Sequence, residues 1–190
     1  MLYPINLEIK DMKITIIGGG DVAYRKCKNF LEFGKSVRVI SPEFIDSFEL
    51  IKNNVELVYD VYIKDSFIVV AATNNKEINK NIGIYCRSCG KLVNVVDDIK
   101  LSNYTVPSYV KRGDLLISIS TGGKSPSLSS EIKKELEEKY DDSYEEYINI
   151  LGEIRQKVIK NYKNISERRK VLKDLVNLDL EELKTLENKF

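Results

Sequence analysis

The most informative stretch of the chain is Lys13-Ile-Thr-Ile-Ile-Gly-Gly-Gly-Asp-Val-Ala23, in which a β-branched run is followed at once by three glycines. The run predicts a buried strand, and the pattern of residues 21–33 predicts a helix. Gly18, Gly20 and Ala23 fit G-x-G-x-x-A at the turn between them. There the first glycine permits a tight bend, the second lets the backbone approach a pyrophosphate, and the small third residue permits close helix–strand packing. The stretch predicts a dinucleotide-binding turn, with a merely tight turn as the alternative.

Strands and helices alternate through the first half of the chain. Further strands are predicted at residues 36–40, 54–58, 67–72 and 92–96, with a second helix at residues 76–89. Gly34 lies where a left-handed cap would end the first helix. This alternation, with apolar strands, predicts a parallel sheet covered on both faces and right-handed connections.

The pattern changes after residue 98. Alternating segments at 104–110 and 115–120, separated by Arg112-Gly-Asp114, predict an antiparallel hairpin. Ser125 and Pro126 suit the N-cap and the first position of a long helix. The remainder predicts amphipathic helices, whose apolar positions are Ile148, Leu151, Ile154, Val158, Val171, Leu172, Leu175 and Val176.

The composition excludes several classes of function. With 30 basic and 29 acidic residues the net charge is +1, so neither nucleic acid nor an anionic membrane is expected as a partner. No apolar run approaches the length that spans a bilayer, and no secretory signal is visible, so we expect a cytoplasmic protein. The chain has no histidine, which removes imidazole bases and imidazole zinc sites.

The cysteines offer one further motif. Cys86 and Cys89 form C-x-x-C, the spacing of a redox pair or of half a metal site, while Cys27 stands alone. No second C-x-x-C completes a four-ligand zinc site, and the predicted helix places both thiols in its last turn. We therefore favour packed or idle cysteines over a functional pair, and we predict no metal site.

Candidate cofactor contacts follow the predicted strands, because ligands of such folds bind at the carboxyl ends. The position that commonly bears a ribose-binding acid reads Ser41-Pro42-Glu43, so Glu43 comes two residues late and could substitute. No arginine stands at this tip, although Arg38 lies within the strand, and this favours NAD over NADP. Thr73 and Asn74 follow the fourth strand, where a cofactor contact and a plain turn remain equal alternatives.

Two segments offer candidates for catalysis and substrate binding. Asp97 and Asp98 end the fifth strand and cannot both face one way, so one could be a general base, with a solvated turn as the alternative. The segment Gly122-Gly-Lys-Ser125 is no P-loop, because that motif would need glycine at Ser118. A glycine pair and Lys124 before a capped helix could still hold a carboxylate, the alternative being an ordinary helix start.

Six segments, in order and spacing, resemble the precorrin-2 dehydrogenases, the family that includes the N-terminal half of the multifunctional siroheme synthases. They are Tyr3-Pro4-Ile5, Gly18-Gly-Gly-Asp-Val-Ala-Tyr-Arg-Lys26, Ala72-Thr73-Asn74, Asn94-Val-Val-Asp97, Val106-Pro107-Ser108 and Ser118-Ile-Ser-Thr-Gly-Gly-Lys-Ser-Pro126. The helical remainder matches the family only weakly.

The resemblance implies NAD-dependent oxidation of precorrin-2 to sirohydrochlorin by a homodimer, with Asp97 as the catalytic residue. Some members of the family also insert iron, so ferrochelatase activity stays open. With the glycine turn included, the predicted cofactor residues are Gly18, Gly20, Asp21, Val22, Pro42, Glu43, Thr73 and Asn74. The predicted substrate residues are Asn94, Ser120, Gly122, Gly123, Lys124 and Ser125.

The predicted fold class is α/β. An N-terminal NAD-binding, Rossmann-like parallel sheet is predicted in residues 1–110, a small α+β segment for dimerisation and the substrate cleft in residues 111–142, and a C-terminal helical domain in residues 143–190. A competing hypothesis is an NAD-sensing regulatory Rossmann module without turnover. It would explain G-x-G-x-x-A and a dimer, but neither residues 94–97 nor the loop at 122–126. Turnover of NAD with precorrin-2 discriminates between the two.

Overall fold

The computed structural model describes residues 2–58 and 63–187. The chain divides into two compact units, Met1–Val106 and Pro107–Phe190. Residue 110, the predicted end of the first domain, lies inside the first strand of the hairpin. A finer division of the second unit at residue 142 stays a prediction, and its last residues, 188–190, lie outside the described part of the chain.

The first unit alternates strands and helices, as predicted. Its elements are β1 (Ile14–Ile17), α1 (Asp21–Glu32), β2 (Val37–Ile40), two short 3₁₀ helices (Asp46–Leu50 and Lys52–Asn54), β3 (Val55–Val58), β4 (Ile68–Ala71), α2 (Lys76–Ser88) and β5 (Leu92–Val95). In the described residues the strands form one parallel sheet of order β3-β2-β1-β4-β5. Gly34 adopts φ +67 directly after the residue that caps α1, as the sequence indicates.

The sheet separates two cores, which is why its central strands are apolar without alternation. On the α1 face the buried side chains include Ile14, Ile16, Val37, Val39, Ile68 and Val70, with Ala23 and Cys27 of the helix and Phe48. On the α2 face they include Ile17, Ile40, Val69, Ala71, Val93 and Val95, with Ile82 and Cys86 of the helix. Every residue of β1 and β4 is buried, so these strands form the centre of the unit.

The strand order places a switch point beside β1. This strand pairs with β2 on one side and with β4 on the other. The connections that follow β1 and β4 therefore lead away in opposite directions. In open parallel sheets a crevice forms at such a point, outside the carboxyl ends of the strands, and ligands bind there. The glycine turn after β1 lies at this position.

The second unit is a hairpin followed by helices. Its elements are β6 (Ser108–Arg112), β7 (Leu115–Ile119), α3 (Pro126–Lys139), α4 (Ser143–Asn161), α5 (Ile165–Leu175) and α6 (Leu180–Glu187). The predicted hairpin is present, but its first strand begins at Ser108 rather than at residue 104, and Arg112 pairs with Leu115 instead of lying in the turn. The turn is shorter than predicted because Gly113 adopts φ +54, which a tight hairpin requires.

The residues just before the hairpin are held by β5. The side chain of Asn103 accepts a hydrogen bond from Val93 N–H at 2.7 Å and donates one to the Lys91 carbonyl at 2.8 Å. Tyr104 packs against the core on the α1 face. These contacts explain why residue 104 belongs to the first unit rather than to β6.

The helices of the second unit enclose a separate core, formed by Ile150, Ile154, Val158, Leu175 and Leu183. The predicted apolar faces are correct at Ile154, Val158 and Leu175. Val176 is exposed because α5 ends at Leu175, and Ile150 is buried where Ile148 is only half-buried. Among the described residues, no helix combines the length and hydrophobicity that would let it cross a bilayer.

Candidate functional site

The first glycine of the turn lies against the end of β4. A Cβ on Gly18 would overlap the carbonyl oxygen of Ala72 and lie 2.6 Å from its carbonyl carbon, and the φ of +126 also favours glycine. The Gly18 N–H donates to the Ile40 carbonyl at 2.8 Å, and the Ala72 N–H donates to the Ile17 carbonyl at 2.8 Å. Only glycine can therefore bring this backbone between the ends of β2 and β4.

The second glycine lies against the chain that leaves β2. A Cβ on Gly19 would overlap the Glu43 carbonyl oxygen and lie 2.7 Å from Ser41 Oγ. The Ile45 N–H donates to the Gly19 carbonyl at 3.0 Å. Gly19 is the unrestricted middle position of G-x-G in the predicted pattern, whereas in the fold it is as tightly enclosed as Gly18. A pattern of residue types records the turn but not this tertiary contact.

The third glycine has the opposite environment. Gly20 is exposed, and apart from its two chain neighbours no described residue has an atom within 4 Å of the position that a Cβ would take. It is the N-cap of α1 and provides no capping side chain, and Asp21 and Val22 beside it are exposed. The first N–H groups of a helix need acceptors and attract anions. The open space over Gly20 leaves room for a pyrophosphate, and contact with one stays a prediction for the second glycine of the pattern.

The residues after β2 form a short turn with an exposed tip. Pro42 and Glu43 are exposed, whereas Ser41 is buried and its Oγ donates to the Glu43 carbonyl at 2.5 Å. Arg38, within β2, binds Glu56 at 3.1 Å and Asp65 at 3.3 Å. This arginine is therefore already paired within the fold, which agrees with the expected preference for NAD.

The turn after β4 is fixed by a residue that sequence analysis missed. Asn79 of α2 is fully buried, and its Oδ1 accepts from the Thr73 N–H at 3.1 Å and from the Thr73 hydroxyl at 2.7 Å. Its Nδ2 donates to the Thr73 carbonyl at 3.0 Å. The Thr73 side chain thus shapes the turn, and Asn74 stands exposed at its tip. The sequence signal that could have identified Asn79 is an asparagine on the apolar inner face of a predicted helix.

The two acids after β5 have different environments. Asp98 caps a turn, with its Oδ1 accepting from the Lys100 N–H at 2.8 Å and from the Leu101 N–H at 3.3 Å. Asp97 is exposed, and within residues 2–58 and 63–187 no group bonds to its carboxylate. Asn94, on β5, is half-buried and donates weakly to the Tyr104 carbonyl at 3.4 Å. Asp97 is therefore the acid whose carboxylate is available for a reaction.

The other predicted substrate residues lie together in the second unit, in the loop between β7 and α3. They are Ser120, Gly122, Gly123, Lys124 and Ser125. The two glycines adopt φ +61 and φ +80. Ser125 is the N-cap of α3, as predicted, with its Oγ accepting from the Leu128 N–H at 3.3 Å. Because Lys124 is exposed, the loop presents a cation beside a helix N-terminus, a setting suited to a carboxylate.

The cysteines lie in environments that oppose a redox pair. Burial raises the pKa of the Cys27 thiol to about 12 and that of Cys86 to about 11, so neither forms a thiolate near neutral pH. Cys89 is exposed at the end of α2. Within the described parts of the chain, no three side chains of His, Cys, Asp or Glu are grouped so that they could hold a metal ion.

The fold and the glycine turn define a dinucleotide-binding protein, and comparison with known families agrees. A family described as NAD(P)-binding matches residues 5–108, and one described as sirohaem biosynthesis protein, central, matches residues 112–139. Precorrin-2 dehydrogenase of Priestia megaterium is 31% identical over 175 residues, which cover 89% of this chain and 85% of that one. The chain belongs to the precorrin-2 dehydrogenase family, which confirms the resemblance seen in the sequence.

Two further relatives show the extent of the similarity. A siroheme synthase of Xylella fastidiosa (strain M12) is 31% identical over 176 residues, which cover 89% of this chain but only 37% of the synthase. A solved structure titled "SirC, precorrin-2 dehydrogenase" has 27% sequence identity and a TM-score of 0.79, with both chains fully covered. The α/β fold predicted from the sequence is thereby confirmed, and the NAD(P)-binding family supports NAD as the cofactor.

The open space over Gly20 gives a first prediction. Gly20→Val should raise the Kd for NAD by about tenfold or more, because the side chain fills the space of the pyrophosphate. The unfolding free energy should change by only about 1 kcal/mol, since a Cβ at this position meets no described atom beyond the chain neighbours. Calorimetric titration and urea unfolding measure the two quantities.

Gly19→Ala is the matched control and should destabilise the fold, because its Cβ overlaps the Glu43 carbonyl oxygen. Normal NAD binding by Gly20→Val would contradict this assignment.

The burial of Cys86 gives a second prediction. Iodoacetamide should modify Cys89 in the native protein and leave Cys27 and Cys86 unmodified, because only Cys89 is exposed. The double variant Cys86→Ala/Cys89→Ala should bind NAD within a few-fold of the parent, with Cys89→Ala alone as the control that leaves the core intact. Mass spectrometry and calorimetry provide the measurements. Stoichiometric zinc that disappears in the double variant would contradict the prediction.

Proposed function

We propose that the chain catalyses the NAD-dependent dehydrogenation of precorrin-2 to sirohydrochlorin in sirohaem biosynthesis. The Priestia megaterium relative and the structure titled SirC are both named precorrin-2 dehydrogenases. Within this chain, one observation supports the proposal best. The sheet that opens toward a pyrophosphate at Gly20 also ends, at the carboxyl end of β5, in an exposed Asp97 carboxylate that no described residue binds.

The reaction removes two electrons and two hydrogens from the substrate. NAD bound at the glycine turn would supply the acceptor for one hydrogen and its electron pair, as a hydride. The other leaves as a proton, and because the chain contains no histidine, a base that it provides must be another kind of side chain, such as a carboxylate. Asp97 suits this task because its carboxylate is exposed and unengaged, whereas the Asp98 carboxylate is bound to two backbone N–H groups.

The remaining predicted site residues take roles in binding. The start of α1, at Gly20 and Asp21, would hold the pyrophosphate, and the tip at Pro42 and Glu43 would contact the ribose. Asn74, at the tip of the Asn79-braced turn, would contact the nicotinamide half. In the second unit, the loop that contains Lys124 would bind carboxylates of the substrate.

We also propose an oligomeric state and a location for the chain. By the family resemblance, the chain acts as a homodimer in the cytoplasm, with residues 111–142 as the dimerisation segment. The net charge of +1 argues against nucleic acid or an anionic membrane as a partner.

One experiment separates this enzyme from an NAD-sensing module. The purified chain is mixed anaerobically with NAD and precorrin-2, and formation of NADH and of sirohydrochlorin is followed spectroscopically. An enzyme should form NADH and sirohydrochlorin in equal amounts and over many turnovers. Tight NAD binding without any NADH would overturn the proposal in favour of the sensing module.

The unequal environments of the two acids give a third prediction. Asp97→Asn should lower the rate of dehydrogenation by about 10²–10⁴, the usual contribution of a general base. The Kd for NAD and the unfolding free energy should stay close to those of the parent, because no described contact is lost. Steady-state turnover and calorimetry on the same preparation measure these effects.

The neighbouring residue provides the control for this prediction. In Asp98→Asn the amide oxygen can still accept from the Lys100 and Leu101 N–H groups, so the turn and the rate should be largely preserved. If the two variants turned over equally well, Asp97 would not be the base.

A further inference from the structure

We infer that Ser41 is a positioning residue that establishes the preference for NAD over NADP by holding Glu43 at the tip of the β2 turn. This inference rests on the proposed function, because it assigns a role within the same cofactor site.

Ser41 lies near a position that usually binds the cofactor, but its side chain contacts the protein backbone instead. It is the first residue after β2, close to where dinucleotide-binding folds commonly place the acid that binds the ribose 2′-hydroxyl. Here the side chain faces inward instead, since Ser41 is only 7% exposed and its Oγ donates to the Glu43 carbonyl at 2.5 Å. The serine hydroxyl is thus used to bend the chain rather than to bind a ligand.

The same turn is fixed from its other side by the glycine turn. The Glu43 carbonyl and the Ser41 side chain occupy the space where Gly19 lacks a Cβ. The Ile45 N–H closes the turn by donating to the Gly19 carbonyl at 3.0 Å. Pro42 adds rigidity because its ring restricts φ. The backbone of Glu43 is therefore held inward, and its side chain projects from an exposed tip.

The charges at this tip discriminate between the two cofactors. Glu43 is exposed, and in the described residues no cation pairs with its carboxylate. A carboxylate can accept hydrogen bonds from ribose hydroxyls, but it repels the 2′-phosphate of NADP. Arg38 of the same strand is already bound by Glu56 and Asp65. The discrimination then depends on where Glu43 is held, which the Ser41 hydrogen bond determines.

A double-mutant cycle tests whether Ser41 acts through Glu43. The Kd values for NAD and NADP are measured by calorimetry on the full chain for the parent, Glu43→Gln, Ser41→Ala and the double variant. The parent should prefer NAD. Glu43→Gln should lower the ratio of the two affinities by about tenfold, and Ser41→Ala by several-fold. In the Glu43→Gln background, Ser41→Ala should change the ratio no further.

Two further variants separate positioning from general damage to the fold. Ser66→Ala removes another buried serine hydroxyl, which bonds to Thr15 Oγ1 at 2.7 Å. Ser66 lies just before β4, at the amino end of that strand and therefore away from the carboxyl ends where the cofactor site is proposed. This substitution should reduce stability and leave the NAD/NADP ratio unchanged. Ser41→Cys keeps a side chain of similar length with a much weaker donor, so it should reproduce the altered ratio if Ser41→Ala does not fold.

The outcomes are distinct. A parent-like ratio in folded Ser41→Ala or Ser41→Cys, or an equal further loss in the Glu43→Gln background, would overturn the inference while the proposed function stands. A parent chain that binds neither nucleotide would overturn the proposed function and this inference together.

Discussion

The first unit depends on one steric constraint: the backbone of Gly18 and Gly19 passes so close to two neighbouring segments that neither residue can have a Cβ. Gly18 lies against the Ala72 carbonyl at the end of β4, and Gly19 lies against the Glu43 carbonyl after β2. This contact draws the ends of three strands together at the switch point of the sheet. The open position at Gly20 and the exposed tip at Glu43 lie directly beside this contact, while Asn79 fixes the turn at Thr73. The proposed cofactor site is therefore formed mostly by backbone atoms, and the packing of Gly18 and Gly19 against neighbouring backbone holds it in place.

The chemistry proposed for the site depends on which polar side chains form no hydrogen bonds within the fold and so can contact a ligand. Ser41, Thr73, Asn79 and Asp98 all use their side chains to shape turns at the carboxyl edge of the sheet. Among the predicted site residues of this edge, the exposed ones with polar side chains are Asp21, Glu43, Asn74 and Asp97. A chain without histidine can in this way offer a free carboxylate next to a second one that already accepts two backbone hydrogen bonds. The division of roles comes from hydrogen bonding rather than from residue type.

Much of this could be predicted from the sequence, because the strands are apolar runs and the glycine pattern lies directly after the first of them. The N-cap at Ser125 and the hairpin could also be predicted, since their signals are local. The importance of Gly19 and Asn79 could not, because both depend on contacts with distant segments. The shift of the hairpin has the same origin, since Asn103 binds β5. Likewise, the distinction between Asp97 and Asp98 depends on the turn at Lys100.

The strand order also affects how the chain folds during synthesis. β1 is the central strand, yet one of its two partners, β4, emerges only after β2, two 3₁₀ turns and β3. Until then an apolar strand edge stays unpaired, the kind of surface on which nascent chains associate wrongly. The hairpin of the second unit pairs two strands that are adjacent in sequence, and such local contacts assemble rapidly. The slower sheet lies on the N-terminal side and therefore leaves the ribosome first. Its long-range pairing thus has the time of translation in which to form.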